Sequence, residues 1–206
     1  MGAGRTEVAR LIFGADPRAR GDILLDGQRL QIGSPHDAIA GGICLLTEDR
    51  KLQGLVLRAS AKENFALPNL SSWSRFGWID RQLEQERFED RAAGLSIRLA
   101  HSDQRVEELS GGNQQKLLVA RWLETNSEVI IFDEPTRGID VGAKYEMYLL
   151  IGRLAAEGKS AIVISSELPE LLGICDRILV MRRGRLAGEI TDVSGATQEE
   201  IMSLAV

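Results

Sequence analysis

Cysteine is scarce in this sequence: two residues in 206, Cys44 and Cys175, both set among apolar neighbours. No spacing typical of a metal cluster or a disulfide framework is present, so the pair reads as buried free thiols of a reducing compartment. Histidine is equally scarce, and His36 and His101 read as surface residues. Positive charge is not in excess. The net charge is −5, which disfavours a general nucleic-acid surface. No apolar run approaches the roughly 20 residues of a membrane-spanning helix. Arg5, Glu7 and Arg10 interrupt the N-terminal apolar stretch, unlike a secretory signal. Internal repeats, low-complexity tracts and interdomain linkers are also missing. What is present is a globular composition, 44% apolar and 27% charged, in a chain long enough to bury a substantial core.

Short β-branched runs alternate with helical patterns, which predicts an α/β fold. The first helix is expected over residues 7–13, with Val8, Leu11 and Ile12 on one side. "GDILLDGQRLQI" reads as a hairpin around Asp26-Gly27, a strong two-residue turn. "GICLL" reads as a buried strand that ends in the polar knot 47–51. Residues 60–123 are mostly helical, opening with a capping box at Ser60 and Glu63. Within them, "LPNLSSWSRFGWID" is an aromatic, serine-rich connection, and the helix after it carries a sparse stripe of Leu83, Phe88 and Ala92. Trp73, Phe76 and Trp78 either form an outward contact face or fill the block's own small core. "EVIIFDEP" and "SAIVISSE" read as buried strands separated by a helix that stops at Gly158. "RILVMRRGRLAGEI" reads as a hairpin around Arg183-Gly184, and a last helix closes the chain.

Three stretches point to nucleotide chemistry. "MGAGRTE" resembles the last positions of a phosphate-binding loop, G-x-x-x-x-G-K-[ST], with Arg5 in place of lysine. Counting back from Gly4, the pattern's first glycine falls two residues before Met1. This leads to the expectation of a chain that starts inside the loop, lacks the central buried strand before it, and is marginally stable alone. Asp133 and Glu134 follow an apolar strand, at the strand end where open α/β sheets bind ligands. Asp133 could hold a magnesium ion and Glu134 could orient a water toward a phosphate. The alternative is a solvated acidic turn. "LSGGNQQK" combines an N-cap at Ser110, two glycines that leave backbone N–H groups bare, and a helix whose positive end meets the ligand. An ordinary capped helix accounts for Ser-Gly but not for the whole octet.

"LSGGNQQK", "VIIFDEPTRGID" and "SSELPELLGICDRILVMRRGRL", in this order, resemble the ATPase domain of ABC transporters. The resemblance covers essentially the whole chain. "MGAGRTE", "TEDRKLQGLVL", "SGGNQQKLLVARWL" and "DEPTRGIDVGAK" are similar, more narrowly, to the second ATPase domain of bacterial simple-sugar importers of the ribose, galactose and xylose type. The resemblance implies a P-loop NTPase-type, mostly parallel sheet core at residues 1–53 and 125–206. It also implies a helical signature subdomain at 54–124 and antiparallel hairpins. It implies ATP contacts at Gly2, Gly4, Arg5, Thr6, Ser110, Gly111, Gly112, Gln114 and Asp140, with Mg2+ at Thr6 and Asp133. Catalytic positions fall on Glu134, on Glu48 in place of the usual glutamine, and on Ser166 in place of the usual switch histidine.

Implied partners are a second ATPase domain paired head to tail, transmembrane permease subunits and, indirectly, a periplasmic sugar-binding protein. Nucleic acid is not among them, and the implied location is the cytoplasmic face of the bacterial inner membrane. With Arg5, Glu48 and Ser166 altered but the signature, Asp133, Glu134 and Asp140 intact, an asymmetric pair is expected. In such a pair this domain lends its signature to the partner's ATP and turns over its own poorly. A nucleotide-binding regulatory module with little hydrolysis of its own is the alternative, and tolerated variants in a fully active site are another.

Overall fold

The computed structural model describes residues 2–205, apart from the Arg75 side chain. Met1, where the expected strand would join, and Val206, at the end of the last predicted helix, lie outside the described residues. The first helix, α1 (Arg5–Ile12), starts at Gly4, whose φ of 95° lies in the left-handed region that favours glycine. Its buried side is Ala9 with Phe13 just past the end, while Val8 faces outward. Of the predicted Val8–Leu11–Ile12 face, Ile12 packs against the core and Val8 faces outward. Strands β1 (Ile23–Leu25) and β2 (Gln28–Leu30) form the predicted hairpin, and both turn residues have positive φ, 49° at Asp26 and 76° at Gly27. Helix α2 (Pro35–Ala40) is capped by Ser34 and carries proline in its first turn. It leads into β3 (Ile43–Leu46), buried at every position.

The helical block opens with α3 (Ala61–Ala66), where the Ser60–Glu63 capping box is formed in both directions. A two-residue-per-strand hairpin, β4 (Ser74–Arg75) and β5 (Trp78–Ile79), precedes α4 (Arg81–Gly94) and α5 (Gly111–Leu123). The aromatics divide here. Trp73 is buried against Phe65, ring centroids 5.6 Å apart, and Phe65 meets Phe88 edge-on at 5.6 Å. Each such ring contributes about 1.5–3 kcal/mol by leaving water. Phe76 and Trp78, at the hairpin tip, are 92% and 82% exposed. So Trp73 belongs to the block's own core, and the outward pair is Phe76 and Trp78.

The core resumes with β6 (Val129–Asp133), α6 (Val141–Ala156) and β7 (Ser160–Ile164). Strands β3, β6 and β7 form a parallel sheet in that order. β3 and β6 are buried throughout because helices cover both faces, which is why they read as unbroken apolar runs. β7 departs from the expectation of a buried strand. Ser160, Ala161 and Ile162 are exposed, because among the described residues nothing pairs with its outer edge. Helix α7 (Leu168–Ile174), the hairpin β8 (Ile178–Arg182) and β9 (Arg185–Ile190), and α8 (Gln198–Ala205) make a second, smaller core around Ile178, Val180, Ile190 and Ile201. Cys44 is buried and Cys175 half-buried, both as free thiols, and both histidines are exposed.

Candidate functional site

The C-terminal ends of β6 and β7 and the start of α1 meet at one place. The turn before α1 has two left-handed glycines, Gly2 (φ 85°) and Gly4 (φ 95°). It packs on the β8–β9 turn, where Gly184 N donates to Ala3 O at 2.8 Å. A Cβ on Gly4 would lie 2.8 Å from the Gly184 backbone, so this position excludes any side chain. Thr6, on the first turn of α1, lies beside Asp133 at the end of β6, where its hydroxyl favours the charged carboxylate. Asp133 is 2% exposed, yet its Oδ1 has no partner. Thr47 Oγ1, one residue past β3 and level with Asp133 in the sheet register, is likewise buried and unpartnered. Buried polar atoms are nearly always satisfied, so these two mark a place built for something polar. A hydrated Mg2+ at Thr6 and Asp133 fits that donor set of hard oxygens. Burial pushes the Asp133 carboxyl above its ordinary value, and the nearby Glu134 charge adds to this. The Thr6 hydroxyl and the Arg5 charge oppose it.

Glu134 has φ 49°, uncommon for a non-glycine residue, and its N–H donates to Ile164 O at 2.8 Å. That conformation aims the carboxylate away from the strand axis, where Ser166 Oγ donates to Oε2 at 3.1 Å. The structure thus joins Glu134 and Ser166, two of the three predicted catalytic positions. The third behaves differently. Glu48 stands where the resemblance implies a glutamine, and its carboxylate is paired with the Arg137 guanidinium. Arg5 is also engaged: Nη1 donates to Ser165 O at 2.7 Å, tying the loop's cation to the end of β7. Behind it, buried Glu170 accepts from Thr136 Oγ1 (3.0 Å) and from Ser165 Oγ, linking the turn after Asp133-Glu134 to the switch segment.

The signature turn is set apart from this cluster. Ser110 caps α5, accepting from Asn113 N at 3.4 Å. Its glycines lie close to other parts of this chain. A Cβ on Gly111 would lie 2.8 Å from Arg50 Nη2, and one on Gly112 would lie 2.9 Å from Ala143 Cβ. Gln114 was expected to line the nucleotide. Its side chain is buried, donating to Val106 O (3.0 Å), which also accepts from Leu109 N, and to Leu109 O (3.2 Å). Asp140 caps α6, its Oδ1 accepting from Ala143 N at 3.0 Å. A cleft of about 300 Å³ lies among Glu48, Asp49, Arg50, Lys51 and Arg137. Sequence reasoning missed Thr47, Arg50, Arg137 and Glu170. The available signal was a dense polar run directly after a fully apolar strand.

A family model described as ABC transporter matches residues 1–137. Among curated proteins, the chain is 52% identical over 207 residues to a ribose import ATP-binding protein, RbsA 2, of Burkholderia pseudomallei. That match covers all of this chain and 40% of the relative. It is 49% identical over 205 residues to a ribose import ATP-binding protein, RbsA, of Bacillus licheniformis, again over the whole chain and 41% of the relative. The chain therefore spans about two fifths of the length of these relatives. Two solved structures share its fold. One is a nucleotide-free ATP-binding cassette from an ABC transporter, with TM-score 0.78, 21% identity, and coverage of 98% of this chain and 79% of that one. The other is a dimeric ATP-binding cassette in a post-hydrolysis state with ADP and Pi, with TM-score 0.76, 20% identity, and coverage of 94% and 82%.

Proposed function

The chain belongs to the ABC transporter family, and from that premise we propose that it is an ATP-binding and ATP-hydrolysing domain of a bacterial sugar importer. It works at the cytoplasmic face of the inner membrane. It pairs head to tail with a second ATPase domain, and drives permease subunits that receive sugar from a periplasmic binding protein. Residues 1–53 and 125–206 act as the catalytic core and 54–124 as the signature subdomain. The observation that carries the reading is Asp133, buried at the end of β6 beside Thr6 of α1, with one carboxylate oxygen left unpaired.

In this reading the glycine turn and the first amides of α1 cradle the phosphates. Thr6 and Asp133 hold Mg2+, which when bound neutralises charge on the phosphate oxygens. Glu134 orients the attacking water, and Ser166 steadies its carboxylate. Ser110 and the amides of Gly111 and Gly112 face the γ-phosphate held by the partner domain. Phe76 and Trp78 form the tip that meets the permease.

One observation favours a second reading, in which this domain binds nucleotide without turning it over. Arg5 is committed to the Ser165 carbonyl, and a serine stands where a proton-carrying switch would act. Reconstitution of the full-length protein with its permease, followed by single-turnover hydrolysis at each site and ATP-dependent sugar uptake, tests both. Ribose is the first substrate to try, given the names of the relatives. Uptake without any nucleotide requirement would overturn the importer reading. Equal single-turnover rates at both sites would overturn the asymmetry.

A further inference from the structure

The guanidinium of Arg50 reaches three acceptors on two separate pieces of chain. Nε donates to Gln114 Oε1 on α5 (3.3 Å), Nη1 to Arg137 O (2.9 Å) and Nη2 to Gly138 O (3.2 Å). Gln114 sits in the first turn of the signature helix, and residues 137 and 138 lead into the Asp140 cap of α6. Gly111 has no side chain where Arg50 Nη2 passes, and Gly138, at φ 68°, turns its carbonyl toward the same group. The segment that carries Arg50 is held again by the Glu48–Arg137 pair. A planar fork with donors on three nitrogens can serve two adjacent carbonyls and an amide oxygen at once, whereas an ammonium group cannot span them.

We propose that Arg50 is a positioning residue that locks the signature turn and the 137–140 loop into one rigid unit. The two loops then hold a single relative geometry before any nucleotide arrives. On the reading above, which this step builds on, the signature turn faces the partner domain's ATP. Arg50 would then preorganise a site it does not touch, and its loss would act on turnover more than on nucleotide affinity.

The test has two parts that fail separately. Hydrogen exchange is measured on the full-length protein as Arg50→Lys and Arg50→Met, both of which keep the aliphatic stem. Amides of residues 111–114 and 137–143 should exchange about tenfold faster in both variants, together, with the thermal midpoint little changed. Acceleration in only one loop, in neither, or full rescue by Lys would overturn the proposal. In the assembled transporter the same variants should lower kcat about tenfold, with KM for ATP within about twofold of the parent. If both loops loosen and kcat stays at the parent value, Arg50 remains the positioning residue. The reading that this signature serves hydrolysis is then the part that fails.

Discussion

Glu170 joins two functional segments through a buried carboxylate, and its isosteric replacement isolates that link. Both of its oxygens are acceptors, one for Thr136 Oγ1 and one for Ser165 Oγ. Glu170→Gln keeps the volume, so no cavity is created. The new amide has only one oxygen, and its NH2 faces a hydroxyl that is itself donating. One buried donor is therefore stranded, at a cost of about 1–3 kcal/mol. For a chain of this size each kcal/mol moves the midpoint by roughly 2–4 °C. A fall of about 3–10 °C is expected in calorimetry of the full-length protein. Ser165→Ala removes the same bond from its other end, along with the Glu167 N–H bond to Ser165 Oγ, so the two losses should overlap and give a coupling of about 1 kcal/mol in a double-mutant cycle. Because Ser165 also supplies the carbonyl that holds Arg5, nucleotide affinity should weaken in the single variant. A midpoint within 1 °C of the parent, or strict additivity in the cycle, would refute the reasoning.

Three further outcomes are expected. Ser110→Arg or Gly111→Asp should lower transporter ATPase and uptake by about 10²–10³, the typical effect of losing a transition-state donor. Glu134→Gln should be much milder if the pair is asymmetric, and equal damage would show both sites to be hydrolytic. Since burial raises the Asp133 carboxyl, the folded protein binds its proton more tightly than the unfolded chain does. The stability contribution of this group should therefore fall as pH rises from about 3.9, the ordinary carboxylate value, to the raised folded value. Below the raised value protons should compete with Mg2+, so Mg–ATP affinity should drop toward the acid end of a pH titration, with Asp133→Asn flattening the curve. Cys44 and Cys175, pushed up to about 12 and about 11 by burial, should resist alkylation at pH 8 until the protein is denatured. Rapid labelling of Cys44 in the native state would contradict its buried position.

Much of this protein was legible without coordinates, because short-range chemistry decides it. Asp26-Gly27 and Arg183-Gly184 dictate their turns through the positive φ that both positions adopt. Ser60 with Glu63, and Ser110 before its glycines, announce helix starts through local donors and acceptors. The unbroken apolar runs at 43–46 and 129–132 announce doubly covered strands. Asp133 and Glu134 were visible as carboxylates just past an apolar strand, and Ser166, singled out by resemblance, donates to Glu134 in the folded chain.

Tertiary structure alone decided the partners of the charges. Arg50 lies 64 residues from Gln114 and 88 from Gly138, and Arg5 lies 160 residues from Ser165. No periodicity encodes contacts at such separations. The same holds for which aromatics turn inward: Trp73 and Trp78 look alike in sequence, and only the packing of Phe65 and Phe88 selects one of them. Gln114 shows the limit most directly. Its place in the signature pointed to a ligand, while in the folded chain its amide is buried and donates to the carbonyls of Val106 and Leu109 beneath the helix. A buried polar group goes where desolvation leaves a partner wanting, and only the folded chain shows where that is.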